Sequence, residues 1–281
     1  MKNLIKLSLK KIIVWGVNHL DGGIVGRYIY AQILASAMNR TQVVTYADVR
    51  LTFAIPNALN RYRSDTFSIK EPETLEWIDG IPSDAVLWDI GANVGLYSCY
   101  AAKRGVAQVF AFEPSVFNLE LLARNIFLNN FTDQITIIPL PLSDTLAVST
   151  LNMTSTEWGG ALSTFGQEYG HDGENMRKVF KFPTIGISMV DAVALLKITQ
   201  PDYIKMDVDG IEHLILKGGG RVLQNAKGVL IEINDKFKAQ ADDASRYLNA
   251  AGFVLKEKRH AEYFDSQGGS GSHTYNQIWI K

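Results

Sequence analysis

The chain reads as an α/β protein. Its expected architecture is a mostly parallel, doubly wound sheet with helices on both faces, an antiparallel strand pair at the C-terminal end and a helical extension before it. Three observations predict this. Residues 85–90, 109–113, 135–140, 203–207 and 228–232 form short, nearly unbroken apolar runs, the texture of strands buried on both faces. Segments of helical period lie between several of these runs, as βαβ units require. A glycine-bearing turn, Asp89-Ile90-Gly91-Ala92-Asn93-Val94-Gly95, follows the first run directly, where an open parallel sheet places its ligand.

The elements can be justified in chain order. Residues 1–50 read as mainly helical, broken at Gly22-Gly23, with Ile24, Tyr28, Ile29, Leu34 and Ala35 at roughly helical spacing and Arg40-Thr41 closing that segment. Residues 49–55 alternate with period two and stop at Pro56-Asn57, a strand entering a turn. Residues 70–78 read as a helix with Pro72 in its first turn. Further helices are expected over 96–104, 117–129, 189–196, 211–223 and 239–251. Residues 253–255 and 275–280 read as the terminal strand pair, separated by a Gly/Ser-rich stretch at 267–272. The expected organisation is a helical extension, 1–48, and one α/β domain, 49–281.

Composition narrows the function. The 281 residues hold 28 Lys+Arg and 29 Asp+Glu, a net charge of −1, which argues against a general nucleic-acid binder. With 47% hydrophobic and 20% charged residues the chain is not disordered as a whole. Its single cysteine, Cys99, excludes an internal disulfide framework and a Cys-cluster zinc site. Lys6, Lys10 and Lys11 interrupt the apolar residues at the start, unlike a secretory signal. No stretch approaches the roughly 20 apolar residues that span a bilayer, so the expectation is a cytoplasmic protein without a transmembrane segment. The first residues read as an amphipathic helix. It packs on the domain or on a second copy in a homodimer, or it attaches weakly to an anionic membrane surface.

The glycine turn carries the first chemical signal. A dinucleotide site wants G-x-G-x-x-G, and Asn93 stands where the second glycine would let a pyrophosphate approach. The helix N-terminus remains rich in donors, suited to a carboxylate as well as a phosphate. Glu113 ends the next strand about 20 residues on, where an acid can accept hydrogen bonds from ribose hydroxyls. Together these features point to a nucleoside without a pyrophosphate, and S-adenosyl-L-methionine fits. The bland alternative is a tight turn and a solvated strand end.

At this point the chain resembles the FkbM-type methyltransferases, a branch of the Rossmann-like class I S-adenosylmethionine-dependent fold with a seven-stranded sheet. The resemblance covers roughly 49–235. It rests on Lys70-Glu71-Pro72-Glu73-Thr74-Leu75-Glu76-Trp77, the glycine turn, Phe112-Glu113-Pro114-Ser115, Pro141-Leu142-Ser143-Asp144, and the run from Ile204 to Glu212. Asp209, where the family usually has Glu, and Leu142, where a small residue is common, depart from the pattern. The resemblance implies O-methylation of a sugar or a sugar-containing natural product. It implies cofactor contacts at Asp89, Gly91, Asn93 and Gly95 for the methionine end, Glu113 for the ribose, and Ser143 and Asp144 for the adenine. Glu71 and Thr74 would close over the cofactor.

Chemistry is expected at the fourth and fifth strand ends. Methyl transfer from a sulfonium needs alignment and exclusion of water, and a hydroxyl acceptor gains from a positioned base. Asp207 ends the fourth strand and is the expected base or orienting acid; the competing reading is a helix cap. Lys205 faces the same side as Asp207 and would pair with an acid or hold the substrate. A less favoured reading gives Asp207 and Glu232, with Asn234 and Asp235, a Mg²⁺ ion. His213 is a third catalytic candidate, with a partly exposed surface role as its alternative. His171 and His273 are placed in lids. Trp158-Gly159-Gly160 opens a long irregular segment, and Trp158 either stacks on a sugar face or plugs the core. The alternatives to sugar O-methylation are N- or O-methylation of another small acceptor and a module that binds the cofactor without catalysis.

Overall fold

A computed structural model describes residues 2–20, 22–260 and 273–281, the first five of these as backbone only. Two helices, α1 (Lys2–Leu20) and α2 (Ile24–Met38), lead into a hairpin of β1 (Thr41–Tyr46) and β2 (Val49–Ala54). Then come α3 (Ala58–Asp65), α4 (Pro72–Asp79), β3 (Val86–Ile90), α5 (Leu96–Lys103), β4 (Gln108–Phe112), α6 (Val116–Leu128) and β5 (Ile135–Ile138). A three-stranded insertion follows: β6 (Ala147–Met153), β7 (Ser163–Phe165) and β8 (Phe180–Gly186). The chain finishes with α7 (Met189–Leu196), β9 (Tyr203–Met206), α8 (Glu212–Lys217), α9 (Gly220–Asn225), β10 (Gly228–Asn234), α10 (Lys238–Ala250), β11 (Val254–Arg259) and β12 (Thr274–Ile280).

The seven-stranded sheet has the order β11-β12-β10-β9-β3-β4-β5. The five strands from β10 to β5 are parallel, and β12 runs antiparallel to both β10 and β11. The terminal pair closes one edge, as expected from the sequence. The chain builds outward from β3 through β4 to β5, then returns to lay β9 on the other side of β3. The carboxyl ends of β3 and β9 are therefore the switch point, where a crevice opens in such sheets.

Alternation along the strands feeds two cores. Trp88, Phe110, Phe112, Ile204 and Met206 pack on one face; Leu87, Val109 and Ala111 pack on the other, against Leu75, Cys99 and Tyr100. Cys99 is a free, buried thiol.

Four features differ from the sequence reading. The helical start closes at Met38, near the expected close at Arg40-Thr41, but residues 41–46, within the stretch read as mainly helical, are a strand; Asn39-Arg40 turns the chain and β1 pairs with β2 along its whole length. The expected boundary after residue 48 therefore falls inside one hairpin. That hairpin is fixed to the domain by amides: Ala54 N–H donates to Asn125 Oδ1 at 2.8 Å, and Asn129 bonds both the N–H and the carbonyl of Thr52. The expected helix over 211–223 is two helices. Gly218 and Gly219 break it because a side chain at 218 would sit 2.5 Å from the Ser143 carbonyl. Residues 58–65 form α3, capped by the Asn57 side chain accepting from Asn60 N–H. The segment read as irregular after Trp158 belongs in part to the antiparallel insertion. Its β8 is an edge strand, which explains how Pro183 is tolerated there. The Gly/Ser-rich stretch 267–272 lies outside the described residues.

Candidate active site

Two cavities meet at the carboxyl ends of β3 and β9, sharing Gly91, Asn93, Ala161, Asp207 and Asp209 in their walls. The smaller, about 70 Å³, is lined by Phe112, Glu113, Leu140, Pro141, Leu142 and Ile211. The larger, about 460 Å³, has an apolar and aromatic wall with Leu59, Tyr62, Phe67 and Tyr97, and a charged floor that includes Glu71, Lys205, Asp207 and Glu232.

The glycine turn separates them. Gly91 has φ +82°, and a Cβ there would fall 1.8 Å from the Asp207 carbonyl. The turn can lie against the end of β9 only because this residue has no side chain. Asn93 also takes a left-handed conformation, φ 50°. Its N–H donates to Glu113 Oε2 at 2.8 Å and its side-chain amide donates to the Gly160 carbonyl at 2.9 Å. Gly95, φ +81°, caps α5 against Leu122 and lines neither cavity.

Glu113 is buried, 5% exposed. Its second oxygen accepts the Ser115 N–H at 2.7 Å. Burial pushes its carboxyl up to about 7 against the pull of the Ser115 and Asn93 amides. Each oxygen spends one acceptor direction on a backbone amide, and a carboxylate oxygen has a second.

The larger cavity stands on a buried ion network. Lys205, 3% exposed, lies 3.5 Å from Asp89 and 3.6 Å from Asp207, with its ammonium 5.3 Å from the Tyr97 ring centre. Burial would lower the Lys205 pKa, but Asp89 and Asp207 outweigh it and hold the ammonium charged. Asp89 lies beneath the cavity and takes the Ser98 hydroxyl at 2.5 Å. Glu71 is paired with Lys70 at 2.6 Å; burial opposes ionisation, yet Lys70 and Lys205 keep its pKa below the ordinary value. Burial, then Asp207 and Glu71, push the Glu232 carboxyl well above its usual range.

A roof over both cavities comes from residues 158–163. Asn57 and Asn60 donate to the Trp158 carbonyl at 2.9 and 2.7 Å. Arg63 donates to Gly159 through Nε at 3.0 Å and Nη2 at 2.5 Å. Asn118 accepts the Gly159 N–H and donates to the Gly160 carbonyl, each at 3.0 Å. Asp209, in a left-handed conformation of φ 62°, accepts the Leu162 N–H at 2.7 Å. Burial and the nearby Asp207 raise the Asp209 carboxyl to about 6.

A family model described as the methyltransferase FkbM domain matches residues 89–255. The chain belongs to this family. Relatives include the hexuronic acid methyltransferase AglP of Haloferax volcanii, 27% identical over 164 residues, 54% of this chain and 56% of that protein. The methyltransferase sdnD of Sordaria araneosa is 28% identical over 181 residues, 50% of this chain and 62% of that one. The chain thus spans little more than half the length of these curated relatives. Among solved structures, methyltransferase FkbM from Methylobacillus flagellatus superposes with a TM-score of 0.49 at 17% identity, covering 95% of this chain and 60% of that one.

Of the residues the sequence singled out, Gly91, Asn93, Glu113, Glu71, Lys205 and Asp207 line the two cavities. Thr74 is fully buried behind Glu71, donating to it at 3.4 Å. Ser143 and Asp144 line neither cavity: Ser143 pairs through its N–H with Ile187, and Asp144 is engaged by Lys217 at 2.8 Å. Their apolar neighbours Pro141 and Leu142 face the smaller cavity instead. His213 is buried, 6% exposed, rather than at the surface. Its ring meets Phe237 edge-on and lines neither cavity, and burial lowers its pKa. Trp158 packs beside Ala54, Val94 and Leu121, which makes it the plug rather than a stacking platform. His171 does line the larger cavity. Among the described residues, no group of three or more His, Cys, Asp or Glu side chains is placed to hold a metal ion.

Sequence reasoning missed the roof-holding residues Asn57, Asn60, Arg63 and Asn118, which are scattered over about 60 positions. It also passed over Glu212, 1% exposed, which accepts the Val208 and Gly210 N–H groups at 3.1 Å and fixes the turn carrying Asp207. Glu212 lies inside a quoted motif, and an acid at a helix start after a glycine was its available signal.

Proposed function

We propose that the chain is an S-adenosyl-L-methionine-dependent O-methyltransferase acting on a hydroxyl of a sugar or sugar-containing small molecule. One observation carries the reading. A narrow, mostly apolar slot with a buried carboxylate opens beside a wide cavity with an acidic floor, and both share the Gly91–Asp207 ridge.

The residues present suit the cofactor. Glu113, which Ser115, Asn93 and Asn118 already engage, keeps an acceptor direction for a ribose hydroxyl. Phe112, Leu142 and Ile211 offer an apolar slot for a flat base. Asp207 stands where a positive sulfur would lie beside the glycine turn. When bound, S-adenosylmethionine supplies a methyl group on a good leaving group. The chain then has to orient, exclude water and move one proton. The 158–163 roof closes the reacting space to solvent, which favours displacement over side reactions. Tyr62, Phe67 and Tyr97 cover the apolar face of a sugar ring. Asp207 orients the acceptor hydroxyl and takes its proton, a contribution of about 10²–10⁴-fold. Lys205 holds Asp207 in place and balances its charge.

Sugar chemistry is supported by the aromatic wall over the charged floor, and by the name of the Haloferax relative, a hexuronic acid methyltransferase. Calorimetric titration with S-adenosylhomocysteine, paired with methyl transfer to a panel of uronic acids, neutral sugars and amines, tests the reading. Binding together with turnover on hydroxyl acceptors supports it. Binding without turnover on any acceptor would leave only a cofactor-holding module.

A further inference from the structure

Helices α1 and α2 stand apart from the chemistry of the cavities. None of the described residues 7–20 is buried, and α2 buries none of its residues. Yet these helices are strongly apolar. Leu7, Leu9, Ile12, Ile13 and Trp15 of α1 are each more than half exposed, as are Ile24, Val25, Tyr28 and Ile33 of α2. A helix apolar on nearly every side is normally buried in a core or a membrane, and exposed patches of this extent mark an interaction surface.

Charge identifies the occupant. The first 40 residues carry Lys2, Lys6, Lys10, Lys11, Arg27 and Arg40 against one acid, Asp21, a net +5. The whole chain carries −1, so the remainder carries −6. Helix α1 has no acidic residue at all. A second copy laid on this face would set +5 against +5. An anionic lipid surface offers the opposite charge together with an apolar interior for Trp15 and its neighbours. No helix among the described residues is long and apolar enough to cross a membrane, so the helices would lie in the interface rather than span it.

We propose that α1 and α2 form an interfacial anchor that docks the domain on an anionic bilayer, with Lys10 and Lys11 of α1 on the headgroups and the exposed apolar side chains around them in the bilayer surface. The negative remainder of the chain is repelled by the same surface, which orients the domain away from it.

The test uses the full chain with two kinds of vesicle, phosphatidylcholine alone and phosphatidylcholine with one-third phosphatidylglycerol. Co-flotation with the anionic vesicles is expected, weakened in high salt because charge attraction is screened. Lys10→Gln/Lys11→Gln should lower partitioning roughly 30-fold, from the attraction of each lysine to an anionic surface. Ile12→Ser/Trp15→Ser should abolish it. Both variants sit on exposed positions, and unchanged S-adenosylhomocysteine binding would show that the α/β domain is intact. Absence of flotation with anionic vesicles overturns the proposal. So does flotation indifferent to the lysine changes, or a stable dimer in sedimentation that Ile12→Ser/Trp15→Ser dissolves. None of these outcomes depends on whether the cavities catalyse methyl transfer.

Discussion

The floor and the roof of the site are built in opposite ways. Under the charged side chains of the floor, backbone packs against backbone: Gly91 lies so close to the Asp207 carbonyl that no side chain fits between them. The roof is a loop held at arm's length by side chains, the amides of Asn57, Asn60, Asn93 and Asn118, the Arg63 guanidinium and the Asp209 carboxylate. The difference assigns tasks. A floor without slack can fix the positions of cofactor and base. A roof held by a few hydrogen bonds, each worth about 1 kcal/mol net, can open to admit a nucleoside and close again.

Five measurements sharpen or break this contrast. The largest effect is expected for Gly91→Ala. The methyl group would collide with the Asp207 carbonyl, and the left-handed backbone adds strain. A loss near the upper end for single substitutions, about 4–5 kcal/mol, should appear in denaturant unfolding, together with loss of cofactor binding. Near-normal stability would mean that the floor has slack. Asp207→Ala comes next: turnover should drop about 10²–10⁴-fold while S-adenosylhomocysteine affinity changes little. Equal loss of both would make Asp207 a structural residue. Glu113→Ala should weaken S-adenosylhomocysteine binding by about 1.5–3 kcal/mol, the worth of hydrogen bonds to a charged group; unchanged affinity would remove the ribose assignment.

The fourth change addresses the roof. Asn60→Ala removes one of the two donors to the Trp158 carbonyl and should cost about 1 kcal/mol, read as a raised KM with global unfolding shifted by no more than that. A cost as large as that of Gly91→Ala would mean that the roof is part of the core. The effect of pH is the most diffuse, because it is spread over two buried acids and not one contact. Burial raises Glu113 and Glu212 to about 7, above their unfolded value, so the folded chain holds protons that the unfolded chain has released. The contribution of these two groups to stability is present at low pH. It declines as pH rises from about 4.5 to about 7, the window in which the unfolded carboxyls have released their protons and the folded ones have not. Glu212→Gln should flatten that decline in thermal unfolding, and an unchanged slope would sink the assignment.

Legibility followed the same divide. The floor could be read because each of its parts is a short local motif: the glycine turn, Glu113 at the next strand end, and Lys205 with Asp207 on one strand face. Ser143 and Asp144 were misplaced because a motif gives the position of a loop and not which of its residues turns inward. Here Pro141 and Leu142 do, and Asp144 leaves to meet Lys217. His213 looked available because it follows an acid in a helix, but the packing of α8 sets its ring on Phe237. The hairpin strand at 41–46 was hidden by the helical segment before it, although its partner begins after a turn of only two residues.

By itself, the sequence determined the sheet, its helices and the ridge of Gly91, Asn93 and Glu113. Period, glycine placement and strand-end acids are local properties that survive without knowing what packs where. Tertiary structure alone decided that residues 158–163 roof the site and that four asparagines and an arginine hold it there. It also decided that Glu212 braces the turn beneath Asp207. Those roof bonds join residues tens of positions apart, and a hydrogen bond between distant side chains leaves no period or spacing in the chain.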